Sequence, residues 1–112
     1  MSQISWDDFQ KVEIRVGTII EASDFSEAIK PAYQLKVDLG EKIGIKQSSA
    51  QITDLYSKEE LIGKQVVAIV NFPPKKIGPF TSECLVTGFY TKTNTVILAT
   101  TDKKISNGSL LA

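Results

Sequence analysis

Apolar and polar residues alternate along much of the chain. Tyr33, Leu35, Val37 and Leu39 take turns with Gln34, Lys36 and Asp38, the period-two pattern of a strand with one buried face. Val12, Ile14 and Val16 alternate in the same way with Lys11, Glu13 and Arg15, which predicts a first strand over 12–20 with the apolar set inward. Gly17 interrupts that strand, and a glycine there predicts a bulge or sharp bend. Residues 22–32 read as a polar connection ending in Lys30-Pro31, and Gly40-Glu41 as a turn into a third strand from 42 to about 50. After Ile43 and Ile45 that strand becomes Lys46-Gln47-Ser48-Ser49-Ala50-Gln51, a run suited equally to a solvated edge or to hydroxyl, amide and phosphate contacts. The β-branched stretch 66–72 predicts a buried fourth strand, and 82–86 a fifth. A further strand is expected over 95–99, then a turn at Asn107-Gly108 before a Leu110-Leu111 tail.

Two places carry helix signals. Ser5 with Asp8 three residues later resembles a capping box, and Trp6 and Phe9 share one side of the turn it opens. That aromatic pair needs a surface to cover, either its own barrel or a second subunit. Ser57 with Glu60 is the S-x-x-E box; Leu61 and Ile62 supply an apolar face and Gly63 a stop. Between strands four and five lies a hook stiffened by Pro73, Pro74 and Pro79, with Gly78 permitting a bend and Lys75 and Lys76 at the tip. A stiff loop loses less entropy when a partner orders it, although the same composition fits a rigid surface loop with solvated lysines.

Composition narrows the function. The chain has 112 residues, enough for one domain spanning 1–112 that buries roughly 65% of its unfolded surface. Thirteen basic residues balance thirteen acidic ones, so any nucleic-acid site must be a local patch without long-range steering. The absence of histidine removes Ser-His-Asp and Cys-His catalysis and histidine metal sites. A single cysteine, Cys84, excludes an internal disulfide and a CxxC pair, and its apolar strand predicts a buried, inert thiol. No phosphate-binding glycine loop and no paired-carboxylate motif stands out, so no enzyme, cofactor or metal is expected. The polar N-terminal stretch is not a signal peptide and no run is long enough to span a membrane, which predicts a cytoplasmic chain.

Three strands, a helix and two more strands follow the order of the OB-fold, a mainly β five-stranded Greek-key barrel with a short helix between strands three and four, here with N- and C-terminal extensions. That fold binds on the face of strands two and three, flanked by the loops joining strands one to two and four to five. Those positions gather Lys30, Lys36, Lys46, Lys75 and Lys76 around one groove.

Three further stretches sharpen the expectation: GIKQSSAQI from Gly44, YSKEELIGKQVVAIVNFPP from Tyr56 and SECLVTG from Ser82. Together with Phe9 to Gly17 they resemble the tRNA-binding OB domain that occurs alone or appended to aminoacyl-tRNA synthetases, and most closely the CsaA-type secretion chaperones. The resemblance covers nearly the whole chain. It implies a homodimer formed near the termini, for which Trp6, Phe9, Leu110 and Leu111 offer apolar area. It implies two kinds of partner, unfolded or export-bound polypeptide and tRNA or other structured RNA. Its RNA-contact positions fall on Lys46, Gln47, Ser48, Ser49, Asn71, Lys75, Lys76, Ser82 and Glu83. The chain departs from the synthetase-appended relatives by Leu85 near their methionine, and by Ile77-Gly78-Pro79-Phe80 in place of further charge. Phe72, Ile77 and Phe80 beside the lysines suit an extended polypeptide, although Phe72 also reads as plain core.

Overall fold

The computed structural model describes residues 1–112. Its frame is a five-stranded antiparallel sheet in the order β3-β2-β1-β4-β7, built from β1 (Ile14–Asp24), β2 (Tyr33–Asp38), β3 (Ile45–Ala50), β4 (Gln65–Ile69) and β7 (Leu85–Val86). β1 is shared: its first half pairs with β4 and its second half with β2. Edges β3 and β7 curl towards one another, and the Glu83 N–H donates to the Gln47 carbonyl at 2.8 Å across the gap. This nearly closed antiparallel barrel is the OB-fold. The helix α3 (Lys58–Leu61) lies between β3 and β4, as the Ser57 signal predicts, and both bonds of its capping box are present. A one-turn helix, α2 (Gly40–Ile43), replaces the expected start of the third strand.

The core follows the alternation of β2. Leu35, Val37 and Leu39 are fully buried and meet Ile19, Leu61, Val66 and Ala68. On β1, however, the sequence pattern misleads. Gly17 and Ile19 face inward, whereas Val12 is exposed and Ile14 and Val16 are half-buried towards the outside. The expected phase of that strand is therefore reversed, and its bulge lies between Ile19 and Glu21 rather than at Gly17. Gly17 serves close approach instead, because β2 packs directly on its backbone.

The outer apolar row of β1 is explained by the chain ends. The edge of β1 that β2 leaves open is taken by the C-terminal tail, with the Gly108 N–H donating to the Val16 carbonyl at 2.7 Å and the Leu111 N–H to the Ile14 carbonyl at 2.9 Å. The N-terminal helix α1 (Trp6–Gln10) is closed by the Ser5–Asp8 capping box, and its Trp6 and Phe9 rings lie 5.2 Å apart. Asn71 fastens this end: its side-chain amide accepts from the Glu13 N–H at 2.9 Å and donates to the Lys11 carbonyl at 2.6 Å.

Two hairpins complete the fold. The proline-braced hook is β5 (Lys75–Ile77) paired with β6 (Phe80–Ser82). Its two-residue turn places Gly78 at φ +57 before Pro79, where a II′ turn requires glycine. The second hairpin, β8 (Gly88–Tyr90) with β9 (Val96–Leu98), contains the strand expected near 95–99 and a partner that the sequence did not disclose.

Candidate ligand-binding face

The hook is locked to the barrel in two ways. First, the Gln47 side chain donates to the Thr81 carbonyl at 3.1 Å, and the Ser82 hydroxyl accepts from the Ser49 N–H at 3.2 Å. Second, Phe80 packs with Phe25 and Ala32 of the β1–β2 loop in a small separate core, the two aromatic rings 5.3 Å apart and Ile77 against them. The two loops that flank an OB groove are thus braced to each other through Phe80. Lys30, Lys75 and Lys76 lie exposed on these joined loops, and none of them makes an ion pair.

Register shows which lysines share a surface. Lys36 stands opposite Gln47 on the outward face of β2–β3; Gln47 reaches Thr81, which stands opposite Lys76. The hook therefore lies on the same side as Lys36, which itself pairs with Glu21 at 3.1 Å. Lys46 has the opposite phase, in step with Ser48 and Ala50, so contrary to the sequence expectation it does not join Lys36 on that face; it lies near Cys84 instead.

Several expected contact residues have other work. Ser48 is 1% exposed and lies in the core, so it is withdrawn as an RNA contact. Phe80, at 8% exposed, and the half-buried Ile77 are withdrawn as polypeptide contacts, because each is turned into the small core. Glu83 closes the barrel, its carboxylate accepting from the Gln47 N–H at 3.1 Å, and Ser82 does likewise from Ser49. Asn71 is engaged with the N-terminal segment. Phe72, by contrast, is 53% exposed and not core. It walls a pocket of about 260 Å³ with Pro73, Cys84 and Leu85, and Lys75 and Glu83 stand among its lining. The sequence marks Leu85 only as standing near the relatives' methionine; its place in this wall was not legible because its strand reads as uniformly buried.

Cys84 is buried, and desolvation, followed by the nearby Glu83 charge, pushes its thiol up to about 11, with Lys46 opposing. The folded state keeps this proton after an unfolded thiol near 9.0 has lost it, so stability falls as pH rises through that window. Replacing Cys84 with alanine should remove about 2 kcal/mol of this alkaline loss. Denaturant midpoints of both proteins across that pH range measure it, and parallel curves would refute the prediction.

At the far end, Trp6, Phe9, Val12, Ile14, Leu110 and Leu111 form the apolar part of a cleft of about 520 Å³ where the two termini meet, with Lys11, Glu13, Arg15 and Lys42 also in its lining. No helix is long and apolar enough to cross a membrane.

The comparisons agree with this geometry. The chain is 54% identical to the CsaA chaperone protein of Picrophilus torridus over 98% of its own length and all of that chain, with a TM-score of 0.93. The chaperone CsaA of Bacillus anthracis superposes with a TM-score of 0.93 at 42% identity, covering 99% of this chain and 100% of that one. The methionine–tRNA ligase of Leptospira biflexa serovar Patoc is 43% identical over 110 residues; the match takes in 96% of this chain but 15% of the ligase. Residues 14–110 match the family described as "Putative tRNA binding domain", and the chain belongs to that family.

Proposed function

We propose that this chain is a non-catalytic binding module that holds unfolded or export-bound polypeptide in the cytoplasm, working as a CsaA-like homodimer. The observation that carries the reading is the pocket walled by Phe72, Pro73, Cys84 and Leu85, with Lys75 and Glu83 among its lining. Exposed apolar groups beside charged ones suit an apolar side chain of an extended segment whose backbone stays wet. The expected polar reading set supports the same choice, since Gln47, Ser82 and Glu83 are already bonded within the seam.

A second reading, binding of tRNA or other structured RNA, is favoured by one observation: Lys30, Lys75 and Lys76 gather without ion-pair partners on the two joined loops. Lys36, with the outward Ser49, would extend that contact along β2–β3. Salt separates the two. The Lys75→Ala/Lys76→Ala variant should weaken tRNA binding and reduce the slope of log K against log salt by about 2, while an apolar peptide is largely spared. Equal losses for both ligands would mean one shared site. RNA and polypeptide recovered with the protein from cells would show which ligand predominates.

The homodimer would form on the cleft between the termini, joining Trp6, Phe9, Leu110 and Leu111 of two copies. A stable interface needs at least about 1,000 Å². Sedimentation should give a dimer at micromolar concentration and a monomer for Leu110→Asp; a monomeric parent protein would refute this assembly.

A further inference from the structure

We infer that a second cleft, between the end of β3 and the β8–β9 hairpin, binds one unpaired base of a single-stranded RNA segment, with Tyr90 as its stacking platform. The inference rests on the RNA reading above and names the part of the RNA that this chain would take. The cleft has a volume of about 490 Å³; Tyr90, Gln51 and Asn94 bring polar groups to it, and Ile52, Leu85 and Val96 belong to an apolar half of its lining. Tyr90 is 80% exposed, although it stands on a hairpin strand rather than a mobile tip. The turn beyond it is rigid: the Thr91 and Thr95 hydroxyls lie 2.6 Å apart, and the Thr91 hydroxyl accepts from the Thr95 N–H at 3.2 Å. That turn holds Asn94 at φ +62 beside the cleft.

A planar ring in such a place can stack on any base, since every base offers a π-face. Carboxamides such as Gln51 and Asn94 can donate to and accept from a base edge at once, as side-chain amides do with adenine. Aliphatic and aromatic side chains together can meet the two faces of a base, while the carboxamides meet its edge. Lys92 stands two residues beyond Tyr90, where a neighbouring phosphate would follow. Leu85 lines both this cleft and the Phe72 pocket, so a strand crossing Lys75 would arrive here next.

The test uses the full chain and a short single-stranded oligoribonucleotide carrying one 2-aminopurine, whose fluorescence is quenched on stacking. Binding should quench the probe. Tyr90→Leu should weaken binding about ten-fold and abolish the quench, and Tyr90→Phe should retain both. Because Tyr90 is largely exposed, all three proteins should share one thermal midpoint. If the parent protein binds the oligonucleotide and Tyr90→Leu binds it equally well, the base site is refuted while the RNA reading survives. If the parent binds neither the oligonucleotide nor tRNA, the RNA reading fails and takes this inference with it. Loss of peptide binding alone in Tyr90→Leu would also overturn it, assigning the cleft to polypeptide.

Discussion

Truncating both Phe72 and Leu85 to alanine should weaken capture of an unfolded polypeptide by about 30-fold or more, with thermal stability nearly unchanged. Both side chains are substantially exposed, so neither replacement opens a cavity in the barrel. They are also the two large apolar walls of the pocket beside Lys75. Aromatic anchors at the centre of a contact commonly carry about 2 kcal/mol or more each, which exceeds a ten-fold change in affinity. Fluorescence anisotropy with a labelled, reduced and carboxymethylated polypeptide measures the loss. Undiminished capture by the double variant would place the polypeptide elsewhere on the molecule.

Replacing Gly17 with valine should destabilise the fold by about 3 kcal/mol or more. A Cβ there would lie 2.5 Å from Val37 Cγ1, 2.7 Å from Leu39 Cδ2 and 3.0 Å from the Asp38 carbonyl oxygen. Val37 and Leu39 are themselves fully buried, so they have little room to retreat, and the third obstacle is backbone. Gly17 pairs with Val66 of β4, one residue before the pairing with β2 begins at Thr18. Urea unfolding of the variant tests this, and a midpoint equal to that of the parent would contradict the packing described.

These two cases also show what the sequence could and could not disclose. Strand β2 was legible because its face is buried along its whole length, so burial and alternation coincide. Both capping boxes were legible because they are local, needing only residues three apart. On β1 the same alternation gave the wrong phase. Val12 and Ile14 face the outer cleft where the chain termini meet, and Val16 lies beside the C-terminal tail, while the inward position at Gly17 has no side chain to betray it. Period-two reasoning cannot tell which of two apolar neighbours covers a strand.

The site was partly legible for a related reason. Three prolines and a glycine marked the stiff hook, and the lysines on it are exposed as expected, but they stand in strand β5 and the tip is Gly78-Pro79. The fates of Phe80 and Ser48 depended on contacts with residues far away in the chain. Phe80 meets Phe25 across the β1–β2 loop, and Ser48 faces into the barrel opposite Leu35. Phe25, the one aromatic in the stretch 22–32 and close to Ala28 and Ala32, was the available hint of the small core. The resemblance marked Gln47, Ser82 and Glu83 as RNA contacts, and the run from Lys46 to Gln51 added a polarity on ordered backbone that looked unexplained. Its explanation is the incomplete barrel, whose edges would otherwise leave backbone groups unpaired. Strand β9 was expected, but its partner β8 escaped notice because it is three residues long and its aromatics are exposed.

The central claim is that this barrel grips polypeptide mainly by burying apolar side chains. Isothermal titration of a permanently unfolded polypeptide, run at several temperatures and at low and high salt, tests it most directly. The account predicts a negative heat-capacity change and an affinity that barely moves with salt. A heat-capacity change near zero, with affinity collapsing as salt rises, would contradict it and leave the exposed lysines as the whole basis of binding.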